Sequence, residues 1–212
     1  MFVKTFVFNP IQVNTYVVID ETTNECVVID AGCLDEDEKN TLGGYIRNHQ
    51  LQLRHVLNTH LHMDHCFGNR YLFQTFGVGP EASAEDEPLL ATMQAQAAMF
   101  GIEYTDAVQP LAKYLNENDI IRFGNASLKV IQVPGHSRGG LAFYSESDRL
   151  LFSGDTLFHH SIGRTDLPGG DYKVLITSLI QKLMILPGET EVYCGHGPVT
   201  TIGDEREDNP YL

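Results

Sequence analysis

Two segments of the sequence share one pattern, and this repeat limits the fold more than any other feature. The first, NTYVVIDETTNECVVID, covers residues 14–30, and the second, GGLAFYSESDRLLFSGD, covers residues 139–155. Each is typical of a strand, an acidic turn, a strand and an aspartate, over the same length. A helical pattern follows each segment, and then an apolar strand that ends at a histidine, His60 in HVLNTH and His196 in EVYCGH. The repeat predicts two similar halves, each built from a sheet and a helix.

The patterns along the whole chain predict an α/β protein. Strands are expected at residues 2–8, 14–20, 25–30, 54–59, 119–123, 127–133, 141–145, 149–153 and 190–194. Helices are expected at residues 35–48, 65–76, 84–100 and 172–185. Two such halves packed face to face give a four-layer αββα sandwich, with a site at the strand ends where the halves meet. No Pro/Ser-rich linker divides the chain, so residues 1–212 are expected to form a single domain.

The composition argues against nucleic-acid and membrane partners. The chain has 14 basic and 28 acidic residues, a net charge of −14, and no basic stripe that would bind phosphates. The acidic charge also disfavours an anionic membrane surface. No apolar stretch is long enough to span a bilayer, and the N-terminal MFVKTFVFNP lacks a signal-peptide pattern. A cytoplasmic location is therefore the default expectation.

The segment THLHMDH is the strongest indication of function. It holds three of the nine histidines and one aspartate, namely His60, His62, Asp64 and His65, directly after an apolar strand. His60 and His62 are two residues apart, so their rings can point the same way in an extended segment. Imidazole nitrogens and a carboxylate oxygen that converge from one loop form a site for a cation such as zinc. A solvated surface loop, the alternative interpretation, does not require this spacing.

Three further candidate ligands follow apolar strands elsewhere in the chain. His136 in VPGHS, Asp155 in LFSGDT and His196 in VYCGHG each come after an apolar run and a glycine. Each alone is typical of a loop residue, but all three fall on the same predicted edge of the sandwich. With the four residues of THLHMDH they make seven candidates, whereas one catalytic zinc takes about three protein ligands. The number favours two ions about 3.5–4 Å apart, bridged by one carboxylate.

The motifs THLHMDH, PGHS, SGDT and YCGHG, in this order, resemble the metallo-β-lactamase fold superfamily over nearly the whole chain. GDTLFHHSIGRTDLPGG and GHGPVTTIGDEREDNPY are most similar to short glyoxalase II-like (hydroxyacylglutathione hydrolase-like) enzymes. The resemblance implies two divalent metal ions, expected to be zinc, with iron or manganese as alternatives. It assigns His60, His62 and His136 to the first ion, Asp64, His65 and His196 to the second, and Asp155 to both as a bridge.

The same resemblance implies a hydrolase that cleaves thioesters such as S-lactoylglutathione by attack of a metal-bound hydroxide. Asp64 and Asp155 would position this hydroxide. Arg164 is a candidate for binding a substrate carboxylate, with a structural salt bridge as the alternative. Asp30, the counterpart of Asp155 in the first half, is expected to hydrogen-bond a ligand histidine from behind. The remaining histidines are interpreted as non-ligands, His159 and His160 in a loop and His49 and His55 on the surface.

Some features depart from the patterns of related families. The helical segment that helps glyoxalase II enzymes to hold glutathione has no match after His196, and Gly197 and Pro198 stand where glutathione-specific members often carry an acid and a tyrosine. Both differences argue against glutathione thioesters as the preferred substrates. Asp155 stands where some β-lactamases carry a cysteine, which argues against that activity.

Two alternative functions remain open. The GRTD motif at residues 163–166 resembles persulfide dioxygenases, which use one iron. A non-catalytic metal-binding protein is the alternative from another class, but structural metal sites are usually closed and rich in cysteine. The four cysteines form no CxxC pair and are expected as reduced thiols in or near the core: Cys26, Cys33, Cys66 and Cys194.

Overall fold

The strands form two six-stranded sheets and one small hairpin in the computed structural model, which describes all 212 residues. The first sheet contains, in spatial order, β1 (Phe2–Phe8), β2 (Val13–Asp20), β3 (Glu25–Ile29), β4 (Gln52–Leu57), β5 (Pro80–Ala82) and β6 (Lys113–Tyr114). The second begins with β7 (Ile120–Phe123), β8 (Ala126–Gln132), β9 (Leu141–Ser145) and β10 (Leu150–Gly154). After the hairpin of β11 (Leu157–Phe158) and β12 (Ser161–Ile162), the chain returns to this sheet as β13 (Glu191–Cys194) and β14 (Thr200–Thr201), in the order β14-β13-β10-β9-β8-β7.

Six helices connect and cover the sheets. They are α1 (Glu36–Asn48), α2 (Asn69–Phe76), α3 (Glu87–Leu90), α4 (Met93–Met99), α5 (Tyr172–Ser178) and α6 (Ile202–Asp208). Short 3₁₀ turns precede α2 and α3, at Met63–His65 and Ala84–Asp86, and a π-helical turn, Leu179–Leu183, extends α5. None of these helices combines the length and the hydropathy needed to cross a membrane.

Apolar side chains hold the layers together. Between the sheets, Ile29 and Leu57 pack in one cluster with Phe143 and Phe152 of the opposite sheet, all of them fully buried. The outer face of the first sheet packs on α1 and α2, and the outer face of the second packs on α5. The predicted four-layer αββα sandwich is therefore confirmed.

The predicted repeat is present in the pairing of the strands. β2 and β3 form an antiparallel hairpin, and β4 then lies parallel to β3; β9, β10 and β13 are arranged in the same way. Ile29 ends β3 and pairs with Leu57, and Gly154 ends β10 and pairs with Cys194. The next residue in each half is an aspartate, so the two aspartates occupy equivalent positions.

The equivalence of the two terminal histidines is not exact in the structure. Counting two residues on from Leu57 and Cys194 gives Thr59 in the first half and His196 in the second. His60 therefore lies one residue beyond the position that corresponds to His196. The loop after β4 also carries four candidate ligands, whereas the loop after β13 carries one.

The predicted helix at residues 84–100 is wrong, because this segment is broken into a 3₁₀ turn, α3 and α4. The Ser83 hydroxyl accepts a hydrogen bond from the Glu85 amide and starts the 3₁₀ turn. Pro88, which has no amide hydrogen to donate, stands in the first turn of α3. After a second break, Met93 and Ala97 of α4 pack with Met63 of the histidine-rich loop. Packing on this loop decides the course of the segment.

Two other predicted helices differ at their ends. The helix expected from residue 65 begins at Asn69, because the Gly68 amide donates to the Ala31 carbonyl (2.7 Å) outside the helix. The helix expected at residues 172–185 is α-helical only to Ser178 and then widens into the π-helical turn. Its buried stripe is kept, because Leu175, Leu179 and Leu183 are all fully buried.

Candidate metal centre

The seven predicted ligands lie together at one edge of the sandwich, at the ends of β4, β8, β10 and β13. His136 reaches this edge because the chain turns sharply after β8 at Pro134 and Gly135. Gly135 has a φ of +132°, and a side chain there would overlap the backbone of Leu175 in α5. The turn can therefore only be made by glycine.

Three histidines form the first group of candidate ligands. His60, His62 and His136 are buried, and one nitrogen of each lies within 4.8 Å of the others. His62 Nδ1 lies 2.9 Å from His136 Nε2. The Nε2 atoms of His60 and His62 are buried and have no hydrogen-bond partner.

The second group consists of Asp64, His65 and His196, whose ligand atoms also lie within 4.8 Å of one another. Asp64 Oδ2 lies 3.3 Å from His196 Nε2 and 3.6 Å from His65 Nε2. His65 is fully buried, whereas the side chain of His196 is 25% exposed. This group is therefore the one that borders the solvent.

Asp155 lies between the two groups. Its Oδ1 is 3.4 Å from Nε2 of His65, and its Oδ2 is 3.7 Å from Nε2 of His136 and 3.6 Å from Nε2 of His196. Oδ1 accepts no hydrogen bond. One carboxylate thus faces histidines of both groups.

Behind the groups, Asp30 contacts the histidine-rich loop. Its Oδ2 lies 3.0 Å from His65 Nδ1, and its two oxygens accept hydrogen bonds from the amide and the hydroxyl of Thr59, both at 2.7 Å. Thr59 Oγ1 lies in turn 3.1 Å from His60 Nδ1. Asp30 and Thr59 thus pack directly against the Nδ1 sides of the His65 and His60 rings.

The two histidines of the second half are oriented by backbone carbonyls. His136 Nδ1 donates to the Arg164 carbonyl at 2.8 Å, and His196 Nδ1 donates to the Gln12 carbonyl at 3.1 Å. A histidine whose Nδ1 carries the hydrogen presents a free lone pair on Nε2. The Nε2 atoms of both residues face Asp155, so their free lone pairs are available to a cation.

The surroundings of His60 and His62 favour the neutral forms of these two rings. Burial, and then the neighbouring His65, lower the pKa of His60 well below its usual value. Burial and His136 lower the pKa of His62 to about 4. Both rings are therefore neutral at pH 7, as metal ligands must be.

The carboxylates remain charged despite burial. Burial alone would raise the pKa of Asp155, but His65, His136 and His196 lower it overall. Burial lowers the pKa of His65, but Asp64, Asp155 and Asp30 raise it well above its usual value. A cation at this position would displace that proton, so metal binding would release protons.

These residues fit divalent cations. Four buried polar atoms point into the site without hydrogen-bond partners: Nε2 of His60, His62 and His65, and Oδ1 of Asp155. Leaving such atoms unpaired costs about 1–3 kcal/mol each, and a bound cation would remove this cost. The set contains nitrogen and oxygen and no sulfur, which suits zinc, iron or manganese.

The other residues singled out in the sequence lie outside the two groups. The Arg164 guanidinium forms a bidentate ion pair with Asp166, both N–O distances being 2.7 Å, and the side chain is exposed. This is the structural salt bridge that the sequence left as the alternative to substrate binding. His159 and His160 are exposed in the loop between β11 and β12, where their rings stack.

One interpretation of a histidine is wrong. His49 is exposed as expected, but His55 is half-buried, and its Nδ1 lies 2.5 Å from Glu81 Oε1 while its Nε2 contacts the Arg122 carbonyl. This contact joins distant parts of the sequence, so no local pattern indicated it. All four cysteines are buried and free, as expected.

Comparison with known proteins gives a consistent result. The family model described as "Metallo-beta-lactamase superfamily" matches residues 8–196. Hydroxyacylglutathione hydrolase GloC of Haemophilus influenzae is 35% identical over 202 residues, which are 95% of this chain and 93% of that protein. Among solved structures, the BLEG-1 B3 metallo-beta-lactamase has a TM-score of 0.89 at 34% identity and covers 100% of this chain and 99% of its own. TTHA1623, solved in a di-iron-bound form, has a TM-score of 0.85 at 35% identity and covers both chains completely.

Proposed function

Since the chain belongs to the metallo-beta-lactamase superfamily of metal-dependent hydrolases, we propose that its site binds two divalent ions and hydrolyses thioesters. His60, His62 and His136 hold the first ion, Asp64, His65 and His196 hold the second, and Asp155 bridges them. The position of Asp155 carries this proposal, because its carboxylate faces histidines of both groups at 3.4–3.7 Å. A single-ion site would leave one of the two groups without a function.

When bound, the ions supply a water molecule of lowered pKa and a Lewis acid for the substrate carbonyl. The protein contributes the geometry. Asp155 lies between the two groups and would set their separation. Asp64, which is almost fully buried, would align the attacking water through one carboxylate oxygen. The contacts of His60 and His65 with Thr59 and Asp30 hold their rings in place while charge develops.

The substrate class rests on the leaving group and on one relative. The site contains no uncommitted general acid, because its histidines and carboxylates are all assigned as ligands. A thiol has a pKa of about 8.5 and leaves as a thiolate with little help from an acid. Thioesters therefore suit this site better than amides do. The similarity to GloC, named a hydroxyacylglutathione hydrolase, supports an S-lactoylglutathione-like thioester.

Zinc is the metal we expect, since it combines strong Lewis acidity with tetrahedral nitrogen and oxygen coordination. Iron is the alternative that a comparison favours, because TTHA1623 is described in a di-iron-bound form. Metal analysis of the protein as isolated distinguishes them.

A second candidate function is the hydrolysis of β-lactams. Asp155 in place of a cysteine argues against it, but BLEG-1, named a B3 metallo-beta-lactamase, matches the whole chain at 34% identity. The same nucleophile would attack a lactam carbonyl, but the amine leaving group needs a proton that no free acid in the site provides. We therefore rank thioesters first.

The test is a substrate panel with the zinc-reconstituted, iron-reconstituted and metal-free protein. S-lactoylglutathione, a thioester of a simpler thiol, a phosphoester and a β-lactam are compared at equal concentration. We expect thioester turnover that a chelator abolishes and metal restores. Absence of thioesterase activity in every metal form would reject the assignment. Oxygen uptake with glutathione persulfide would instead favour the mononuclear iron dioxygenase, and bound metal without turnover would favour a metal-binding protein.

A further inference from the structure

Each group of ligands draws residues from both halves of the sandwich. His60, His62, Asp64 and His65 belong to the first half, whereas His136 and His196 belong to the second. Neither group is complete unless the loops of the two halves are held at a fixed separation. Two buried polar residues of the first half, Asp86 and Asn14, hold these loops.

Asp86 connects the loops of the first group. It ends the 3₁₀ turn Ala84–Asp86 and is only 1% exposed. Its Oδ1 accepts a hydrogen bond from the Gly139 amide (2.6 Å), and its Oδ2 accepts one from the Ser137 hydroxyl (2.7 Å). Both donors lie in the loop of His136. Oδ2 also accepts a longer bond (3.4 Å) from the amide of Leu61, the residue between His60 and His62.

Asn14 has the corresponding position beside the second group. It is 4% exposed, and its Nδ2 donates to the carbonyls of Cys194 (3.0 Å) and Gly197 (2.9 Å). Its backbone amide donates to the Gly195 carbonyl at 2.7 Å. These three carbonyls surround His196 on both sides. Asn14 therefore holds the loop of His196 as Asp86 holds the loop of His136.

We propose that Asp86 and Asn14 are positioning residues, each dedicated to one ion: Asp86 to the ion of His60, His62 and His136, and Asn14 to the ion of Asp64, His65 and His196. Neither residue touches a ligand side chain, so each acts through the backbone next to a ligand. This proposal rests on the ligand assignment proposed above. It adds that the affinities of the two ions are set separately, by two residues that lie in different elements.

Asp86 and Asn14 can restrain these loops because their hydrogen bonds are buried. A carboxylate that accepts three hydrogen bonds in the protein interior restrains the donating loops more firmly than a neutral pair would. Residues that orient metal ligands typically change metal affinity by about 10–100-fold when they are replaced. Since the two loops are separate, the loss at one should not spread to the other.

The experiment measures the zinc affinity of each ligand group separately. In a His196→Ala background only the first group is complete, and in a His136→Ala background only the second. Zinc alone is titrated against a competing chelator, so the readout does not depend on catalysis. We expect Asp86→Asn to weaken zinc binding about tenfold in the first background and to leave it unchanged in the second. Asn14→Ala should show the opposite pattern.

A second variant and a matched control keep the test decisive. Ser137→Ala removes one of the three hydrogen bonds of Asp86 and should weaken zinc binding at the first group only. It provides the test if Asp86→Asn folds poorly. The control is Asp20→Asn. Asp20 is also buried and accepts bonds from Thr22, Thr23 and Asn125, but it lies at the far end of the β2–β3 hairpin from the site. It should leave both affinities unchanged.

The outcomes separate the two proposals. If the unmodified chain binds two zinc ions but Asp86→Asn and Ser137→Ala weaken both ions equally, or no more than Asp20→Asn does, the positioning roles are rejected and the binuclear site stands. If the unmodified chain binds fewer than two ions, the ligand assignment itself fails and the positioning proposal fails with it. The positioning proposal is supported if Asp86→Asn and Ser137→Ala weaken zinc binding only at the first group and Asn14→Ala weakens it only at the second.

Discussion

Gly195 is packed so closely against Asp155 that a side chain at this position would displace the carboxylate. A Cβ on Gly195 would overlap Oδ1 of Asp155 and would lie 3.0 Å from Cε1 of His65. The absence of a side chain at Gly195, after β13, thus leaves room for the Asp155 carboxylate, after the neighbouring strand β10.

Gly195→Ala should therefore lower metal content and activity together, while the fold largely survives. The added methyl must push Asp155 out of its position between the two groups, since the backbone around it is fixed by β10 and β13. Gly44→Ala, in α1, is the control, because a Cβ there meets nothing within 4 Å and alanine favours a helix by about 0.5–1 kcal/mol. Metal analysis and thermal unfolding check both variants. Normal metal content in Gly195→Ala would contradict the assigned role of Asp155.

Metal content after mild reconstitution should approach two ions per chain. The physical reason is that two groups of three candidate ligands, with Asp155 between them, exceed what one ion can coordinate. Elemental analysis of dialysed protein measures the ratio. A plateau at one ion with an intact fold would sink the binuclear proposal and favour the mononuclear dioxygenase.

Asp155→Ala should lose metal and activity together, because it removes the one carboxylate that faces both groups. His159→Ala, a nearby change on an exposed residue of the β11–β12 loop, should alter neither. Circular dichroism establishes that both variants are folded, and metal analysis with a thioesterase assay compares them. Equal damage from the two changes would mean that the site lies elsewhere.

Hydrolysis of S-lactoylglutathione should show a high KM. The net charge of −14 repels the anionic glutathione group, and Arg164 is engaged with Asp166 rather than free to bind it. Missing contacts that serve the ground state and the transition state alike raise KM more than they lower kcat. Steady-state kinetics on S-lactoylglutathione and on a thioester of a simpler thiol should give similar kcat/KM values. A low KM with strong selectivity for glutathione would disprove this.

Leu57→Ala should destabilise the protein by about 2–5 kcal/mol, because Leu57 is fully buried between the sheets and its truncation leaves a cavity. Val7→Ala in β1 is the matched control; Val7 is 60% exposed and its truncation should change stability by less than about 0.5 kcal/mol. Chemical denaturation of the metal-free proteins measures both. Similar losses would mean that the core between the sheets contributes little to the free energy of unfolding.

The long elements were predictable because their patterns are local. α1 begins one residue after the predicted start, with Asp35 as the cap that accepts a bond from the Glu38 amide. The β2–β3 and β9–β10 hairpins carry their own register in apolar runs. α6 was missed, although Thr201 is an N-cap residue whose hydroxyl accepts a hydrogen bond from the Asp204 amide. β5, β6 and β14 are too short for an alternating pattern to be visible.

The candidate site was predictable only in part, because only some of its residues stand in local sequence motifs. The seven candidate ligands stand in recognisable motifs, and the structure brings them together. Asp86 and Asn14 could not be found in this way, because their partners lie 25–53 and 180–183 residues away along the chain. Thr59 lies in the motif THLHMDH, but its hydrogen bond to Asp30 depends on how β3 and β4 pair. Supporting residues are defined by tertiary contacts, which one sequence does not display.

Because both proposed ligand groups draw residues from both halves, ions bound there would link metal binding thermodynamically to the cohesion of the sandwich. Any fluctuation that separates the His136 and His196 loops from the histidine-rich loop would then have to break coordinate bonds. The stability gained would grow with the logarithm of the free metal concentration, as it does for any ligand that binds only the native state. In a cell where metal is scarce, the same chain would be both inactive and easier to open along the seam between its halves.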